Sequence, residues 1–588
     1  MPQRMLQIVS LVAHSVNRMF TALAFLALLP LSLTFAQSED GVASQEAEPF
    51  PTAELVIWGG TVYTAEDSNP SAEAVVVDKG RIIFVGARAT AETYVSDNTR
   101  VINLEGATLY PGFVDAHAHL SGIGARELTL NLEGIASLKA VQAALKNYAT
   151  TNVQAVIVGR GWIETHWPED RFPSRWDLDD VESTRPVILF RADGHAAVAN
   201  SAAIMAAGIT DSTNAPFGGE IQKNALGEPT GILIDAAMGL VNQLIPTPTR
   251  SDIAEHLTVG GQVYGEYGWT GLHNMSVSWT EVELMEALSN DGSLGIRVYN
   301  SVNQDALEQL VQSGHRRSDN NRVVTRAMKL YMDGALGSRG AALLAPYTDA
   351  NSTGLILSRR DEILPLLALS LREGVQVNMH AIGDRANREL LNWFESSFAA
   401  VPPTERAVAT PRWRDEHTQI VHPDDIPRYA QLGVIPSMQP SHAIGDMHFA
   451  NDRLGDERLD GAYAWSSFLE TGVIIAGGSD APVERGDPLI EFYAATARRD
   501  LNGFQGENWR PQEALTRSEA LKMFTLWPAF ASFEEDQIGS IAVGKKADFT
   551  AFDVDLMTAV EADIPKGKAI LTIVDGEIIF RRNSGGQK

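Results

Sequence analysis

The sequence predicts an α/β protein: a distorted (β/α)8 TIM barrel, with a small β-sandwich domain built from both chain ends and an insertion after the first barrel strand. Three observations predict it. From about residue 109 to 535, short apolar runs alternate with helical patterns, the signature of βα units around a parallel sheet. At opposite ends of the chain, Val75 to Gly86 and Leu571 to Phe580 repeat one hairpin style, which places both ends in a single antiparallel unit. Ten runs in the middle are strand-like, two more than the barrel takes, and the surplus falls within about 121–250.

Taken in order, the chain opens with Arg4 and Arg18, has no acidic residue before Glu39, and carries an apolar run from Phe20 to Leu33 followed by Thr34-Phe35-Ala36. A basic segment, an apolar segment and a small-x-small site predict that residues 1–36 are a secretory signal peptide cut after Ala36. The run is shorter than the ~20 residues a membrane span needs, so no membrane association is expected after cleavage, and the address is periplasmic or secreted. Residues 37–51 lack periodicity and read as a linker. Leu55 to Thr64 and Ala74 to Gly86 are strands, the second turning at Asp78-Lys79-Gly80, so 52–108 and 536–583 form the sandwich and 109–535 the barrel. The strand candidates of the middle are Phe113 to His117, Ala155 to Gly159, Val187 to Arg191, Thr270 to Asn274, Gly295 to Asn300, Val323 to Tyr331, Val375 to His380, His417 to Val421, Val434 to Met438 and Val473 to Gly478. Trp162 to Arg175 and Asn214 to Gly219 are loop-rich and mark the insertion.

Composition narrows the function. Apolar residues at 44 % and charged residues at 21 % describe an ordinary globular chain with a sizeable core. The formal charge of −27 becomes −29 once Arg4 and Arg18 leave with the signal peptide, which repels polyphosphate and anionic lipid and excludes nucleic acid as a partner. The partners expected are a small-molecule substrate and at most a second copy of the chain. Without any cysteine there is no disulfide, thiolate metal site or thiol nucleophile.

Chemistry concentrates at strand ends. Gly112 to Leu120 carries His117 and His119, two apart on a strand and so on one face, where a pair of imidazoles suits a divalent metal. Lys329, His380, His417 and Asp480 follow on later runs, and a (β/α)8 barrel brings separate strand ends together at its C-terminal face. Lys329 is unusual within an apolar run, because burial disfavours the ammonium.

Phe113 to His119, Lys329 with Tyr331-Met-Asp-Gly334, His380-Ala-Ile-Gly-Asp384, Glu416-His417 and Gly478-Ser-Asp480-Ala-Pro482 together resemble the amidohydrolase superfamily, in the branch called amidohydrolase family 3 that includes N-substituted formamide deformylase-like proteins. The resemblance covers nearly all of residues 52–582. It implies that His117 and His119 bind a more buried metal and His380 and His417 a second, and that Lys329, carrying a CO2-derived carbamate, bridges the two. Two Zn2+ are the first expectation, with Mn2+ or Fe2+ as alternatives that the ligand set does not separate. Asp480 would touch the first metal and act as the catalytic proton shuttle. In the insertion, Gly159-Arg-Gly161-Trp162 and Asp193-Gly-His195 also look like this branch, so Trp162 and His195, with His442 in Gln439-Pro-Ser-His442, are the substrate-side candidates. The chain departs from the branch at Asn274, where Asp is common.

The resemblance implies an exported metal-dependent hydrolase that cleaves an amide-like C–N bond, N-acyl, N-formyl or cyclic, in a small molecule. Two alternatives are a deaminase of the same superfamily, against which Lys329 argues, and a non-enzymatic exported binding protein, against which the complete ligand set argues.

Overall fold

The computed structural model describes residues 53–583 apart from 165, 166, 170, 193, 195, 217 and 218, so the predicted signal peptide, the linker and His195 lie outside the described residues. Eight parallel strands make the barrel: Phe113–Ala118, Trp269–Val277, Arg297–Val302, Val323–Tyr331, Gln376–Ala381, Arg414–His417, Ile435–Met438 and Ala476–Gly477. Each is in parallel register with the next. Between the last and the first, the Asp480 amide donates to the His117 carbonyl at 2.7 Å.

Local chemistry sets the helices between them. Thr249 and Asp252 form a reciprocal capping box that starts the helix Arg250–Tyr267, and Ser278 with Glu281 does the same for Trp279–Asn290. Gly268, at φ 105°, ends the first of these and turns directly into Trp269 of the second barrel strand, a conformation costly for any residue with a Cβ. Phe113, Trp269 and Phe524 pack face and edge in the barrel core.

Two of the ten predicted strands belong elsewhere. Ile157–Trp162 and Val187–Arg191 lie in a separate six-stranded sheet spanning residues 130–235, between the first and second barrel strands. That sheet has its own core, with Leu130, Ile157, Leu189 and Val198 buried together. A further correction concerns the sixth barrel strand, predicted at His417 to Val421 and found at Arg414–His417. Its four residues are Arg, Asp, Glu and His, all buried, and such a strand has no apolar run to betray it.

The two chain ends share one eight-stranded sheet. Thr108–Pro111 pairs antiparallel with Phe549–Phe552 and joins the N-terminal strands to the C-terminal hairpin. Leu55 and Val75, toward one end of the strand order, share one buried cluster with Leu571 and Ile573, toward the other, so this sandwich is a single sheet curled over on itself. Ionic contacts tie it to the barrel's N-terminal end. Arg297 of the third barrel strand donates to both Asp548 carboxylate oxygens, at 2.5 and 2.9 Å, and pairs with Asp575, which also takes Arg322 at 2.9 Å. Removing one member of such a buried pair costs about 3–5 kcal/mol, because the other is left without compensation.

Candidate active site

The C-terminal ends of the first, fourth, fifth, sixth and eighth barrel strands bring His117, Lys329, His380, His417 and Asp480 to one place, with His119 just beyond the first. Three imidazoles are anchored the same way. Nδ1 of His117 meets Glu416 Oε2 at 2.6 Å, Nδ1 of His119 the Met275 carbonyl at 3.2 Å, and Nδ1 of His417 the Gln439 Oε1 at 2.8 Å. Each partner is an acceptor, so each Nδ1 holds the proton and each Nε2 offers a lone pair. The free nitrogens converge on Asp480, whose Oδ1 lies 3.0 Å from His119 Nε2 and 3.4 Å from His117 Nε2. One ligand atom from each of His117, His417 and Asp480 lies within 4.8 Å of the others. Lys329 Nζ is 3.3 Å from His117 Nε2, and the His380 ring centroid is 4.5 Å from that of His417.

Electrostatics favour the protonation states that metal binding requires. Burial holds His117 and His417 well below the usual imidazole range and lowers Lys329 to about 8. For Asp480 burial alone would raise the carboxyl, but its contacts with His119, His117 and His417 outweigh it and hold the group well below the usual carboxylate range. Neutral imidazoles beside an ionised carboxylate form a donor set that a borderline divalent cation accepts. His417 at φ 80° and Asp480 at φ 60° both occupy the left-handed region, a cost of about 1–3 kcal/mol each that the surrounding packing must hold.

The residues that hold the site in shape escaped the sequence reading. Glu416, the anchor of His117, is gripped by Arg414 at 2.7 Å, and Arg414 in turn donates to the Ala116 carbonyl, Ser437 and His273. Asp115 accepts from the amides of His117 and Ser479, from the Ser479 hydroxyl and from Tyr264, and so fastens the first strand to the loop carrying Asp480. Burial pushes its carboxyl up to about 6 despite these bonds. Asp115 was detectable in principle, two residues before His117 and hence on the same face. Glu416 stood beside His417 in the sequence, but its task and Arg414 were not legible there, because their partners are distant in sequence. Asn274 accepts from the Leu120 amide at 2.9 Å and so positions the helix that follows His119.

The substrate-side candidates divide. His442 lies in the site, its ring centroid 5.9 Å from that of His417. Trp162 does not serve: it is fully buried in the insertion's own core, donates to the Leu189 carbonyl at 2.7 Å, and packs on Trp167 and Phe172. The expectation that Trp162 contacts substrate is therefore corrected, since the side chain has no free surface to offer.

Comparison with known proteins follows the same line. Residues 100–580 match the amidohydrolase family. YtcJ of Bacillus subtilis (strain 168) is 33 % identical over 90 % of this chain and 99 % of its own. The N-substituted formamide deformylase of Arthrobacter pascens is 28 % identical over 90 % of this chain and 98 % of its own. Among solved structures, an uncharacterised metal-dependent hydrolase of Pyrococcus horikoshii OT3 superposes with a TM-score of 0.71 at 25 % identity, over 86 % of this chain and 99 % of that one. With barrel, His/Asp site and full-length relatives in agreement, the chain belongs to the amidohydrolase family and is a metal-dependent hydrolase acting on carbon–nitrogen bonds.

Proposed function

We propose that the protein is an exported hydrolase that cleaves the amide-like C–N bond of a small N-acyl, N-formyl or cyclic amide and releases the amine. The convergence of three tethered imidazoles and Asp480 beside a buried lysine carries this reading. His117, His119 and Asp480 would hold one divalent metal and His380 and His417 a second, with zinc the first expectation and manganese or iron the alternatives. When bound, the metal supplies activated water at neutral pH and polarises the scissile carbonyl.

The chain's own residues do the rest. Glu416 and Gln439 keep Nε2 of His117 and His417 turned inward. Asp480 takes a proton from the attacking water on its carboxylate and delivers it to the departing nitrogen, so charge does not accumulate on the amine as the bond breaks. His442 faces the same space through Nε2, with Nδ1 accepting from the Gln419 amide at 3.0 Å. Lys329 would take up CO2, with a C–N bond formed at Nζ and one proton released, and the carbamate would offer anionic oxygen ligands to both metals. Burial, which lowers the ammonium, favours that form over a charged lysine. Lys329→Ala should lose about one metal per chain and recover activity in part with short carboxylic acids; full metal content and full activity would exclude the bridge.

Metal-replete enzyme assayed on a panel of N-acyl and N-formyl amines, scored separately for free amine and for ammonia, tests the activity. Amine release supports hydrolysis, whereas ammonia alone supports the deaminase alternative. Export rests on the N-terminal pattern, and N-terminal sequencing of periplasmic or secreted protein should begin at Gln37.

A further inference from the structure

One wall of the site carries acid without a matching base. Asp480 turns Oδ1 to His117 and His119, and its Oδ2 lies 3.7 Å from His442 Nε2, which in turn lies 3.8 Å from Glu484 Oε1. His442 is only 8 % exposed, and its Nε2 makes no hydrogen bond among the described residues. Because the Gln419 amide donates to Nδ1, the proton sits on Nε2, which points between the carboxylates of Asp480 and Glu484 and stops short of hydrogen-bond distance to either.

Glu484 differs from its neighbours in keeping 32 % of its side chain exposed. The cations near it are engaged elsewhere: Arg485 pairs with Glu133, and Arg126 pairs with Glu127 and Glu133 while donating to the carbonyls of Glu484 and Arg485. Among the described residues, the one ion-pair partner of the Glu484 carboxylate is His442.

We propose that the Glu484 carboxylate determines specificity by receiving a cationic ammonium or guanidinium on the amine side of the substrate, so that the preferred substrates are N-acylated diamines or guanidinium-bearing amines. The proposal rests on the reading of the site as an amide hydrolase. The amine side follows from order in space: Asp480 protonates the leaving nitrogen, and His442 and Glu484 are the next groups outward from its Oδ2. Two steps of 3.7 and 3.8 Å separate that oxygen from Glu484, within the reach of a short diamine. Burial, together with Asp446, Asp480 and Glu133 and opposed by Arg485, pushes the Glu484 carboxyl up to about 8. A cation arriving there at neutral pH therefore displaces a proton into buffer.

The test uses a matched pair of non-hydrolysable ligands, N-(4-aminobutyl)methanesulfonamide and its neutral isostere N-pentylmethanesulfonamide, titrated by calorimetry into metal-loaded enzyme in two buffers of different ionisation enthalpy. The cationic ligand should bind about tenfold or more tightly than the neutral one, a gain in keeping with a charge-assisted hydrogen bond. Its binding should release protons, and in Glu484→Gln the ratio of the two affinities should collapse toward one with the proton release abolished. Equal affinities in the wild type, binding of neither ligand, or a preference that survives in Glu484→Gln would overturn the proposal. The corresponding acetamides, assayed for amine release, report on amide hydrolysis separately.

Discussion

Asp480 and Glu416 are both buried carboxylates within reach of His117, but they have different tasks. Asp480 can move a proton; Glu416, fixed between Arg414 and His117 Nδ1, decides which nitrogen of the imidazole faces inward. Asp480→Asn keeps size and one oxygen ligand but cannot accept a proton, so kcat should fall by at least ~10² while metal content, measured by elemental analysis, changes much less. Glu416→Gln should show the reverse emphasis. Its neutral side chain leaves Arg414 without a counter-charge, lowering the melting temperature, and weakens the hold on His117, so metal affinity in a chelator titration should drop about 10- to 100-fold. Finding the larger metal loss in Asp480→Asn would reverse these assignments.

At the scale of elements, the seam between the eighth and first barrel strands is a tight joint of the site. A Cβ built on Gly478 would lie 2.4 Å from the His117 amide nitrogen and 2.7 Å from Asp115 Oδ1, both fixed by hydrogen bonds. Gly478→Ala must therefore push the first strand away from the loop that carries Asp480. We expect a lower melting temperature together with a loss of kcat, and a variant that keeps both would show the seam to be more pliable than this packing allows. Much of this architecture was legible in the sequence, because His117 and His119 stand two apart at the end of a largely apolar strand. Lys329 was legible for the same reason, as a charge where the pattern demands an apolar residue. The strand Arg414–His417 was not, since its right to be buried comes from partners on other strands, Ala116, His273 and Ser437 among them, and no local pattern encodes them. Trp162 misled for a related reason: the motif around it was visible, but the side chain's direction depends on a six-stranded sheet that folds only once Leu130–Asn131 and Val187–Arg191 flank it.

For the molecule as a whole, burial raises several carboxyls, and this shapes its response to pH. Asp446 is one, half-buried, accepting from the Tyr463 hydroxyl at 2.7 Å, and pushed up from 3.8 to about 7 chiefly by loss of water around the carboxyl. Between those values the folded chain binds a proton that the unfolded chain has released. Its contribution to stability is therefore full at the acidic end of that window and lost as pH rises through about 7. Asn keeps an acceptor for Tyr463 and does not titrate, so the melting temperature of wild type relative to Asp446→Asn should decline steadily from pH 5 to pH 8. A difference that stays flat across that range would mean the carboxyl is ionised in the fold throughout.

The shared sheet also governs when the protein can finish folding. The Phe113 amide at the first barrel strand donates to Thr550, 437 positions later, and the strand just before it finds its antiparallel neighbour only in Phe549–Phe552. Loop closure over such a distance is slow, and no nascent chain lacking its final segment can satisfy these groups. A growing polypeptide thus stays open at Thr108–Pro111, the strand that leads into the one bearing His117, whatever its later βα units have managed to build. A chain cut short before Phe549 therefore leaves Thr108–Pro111 with an unpaired edge directly before the strand that carries His117.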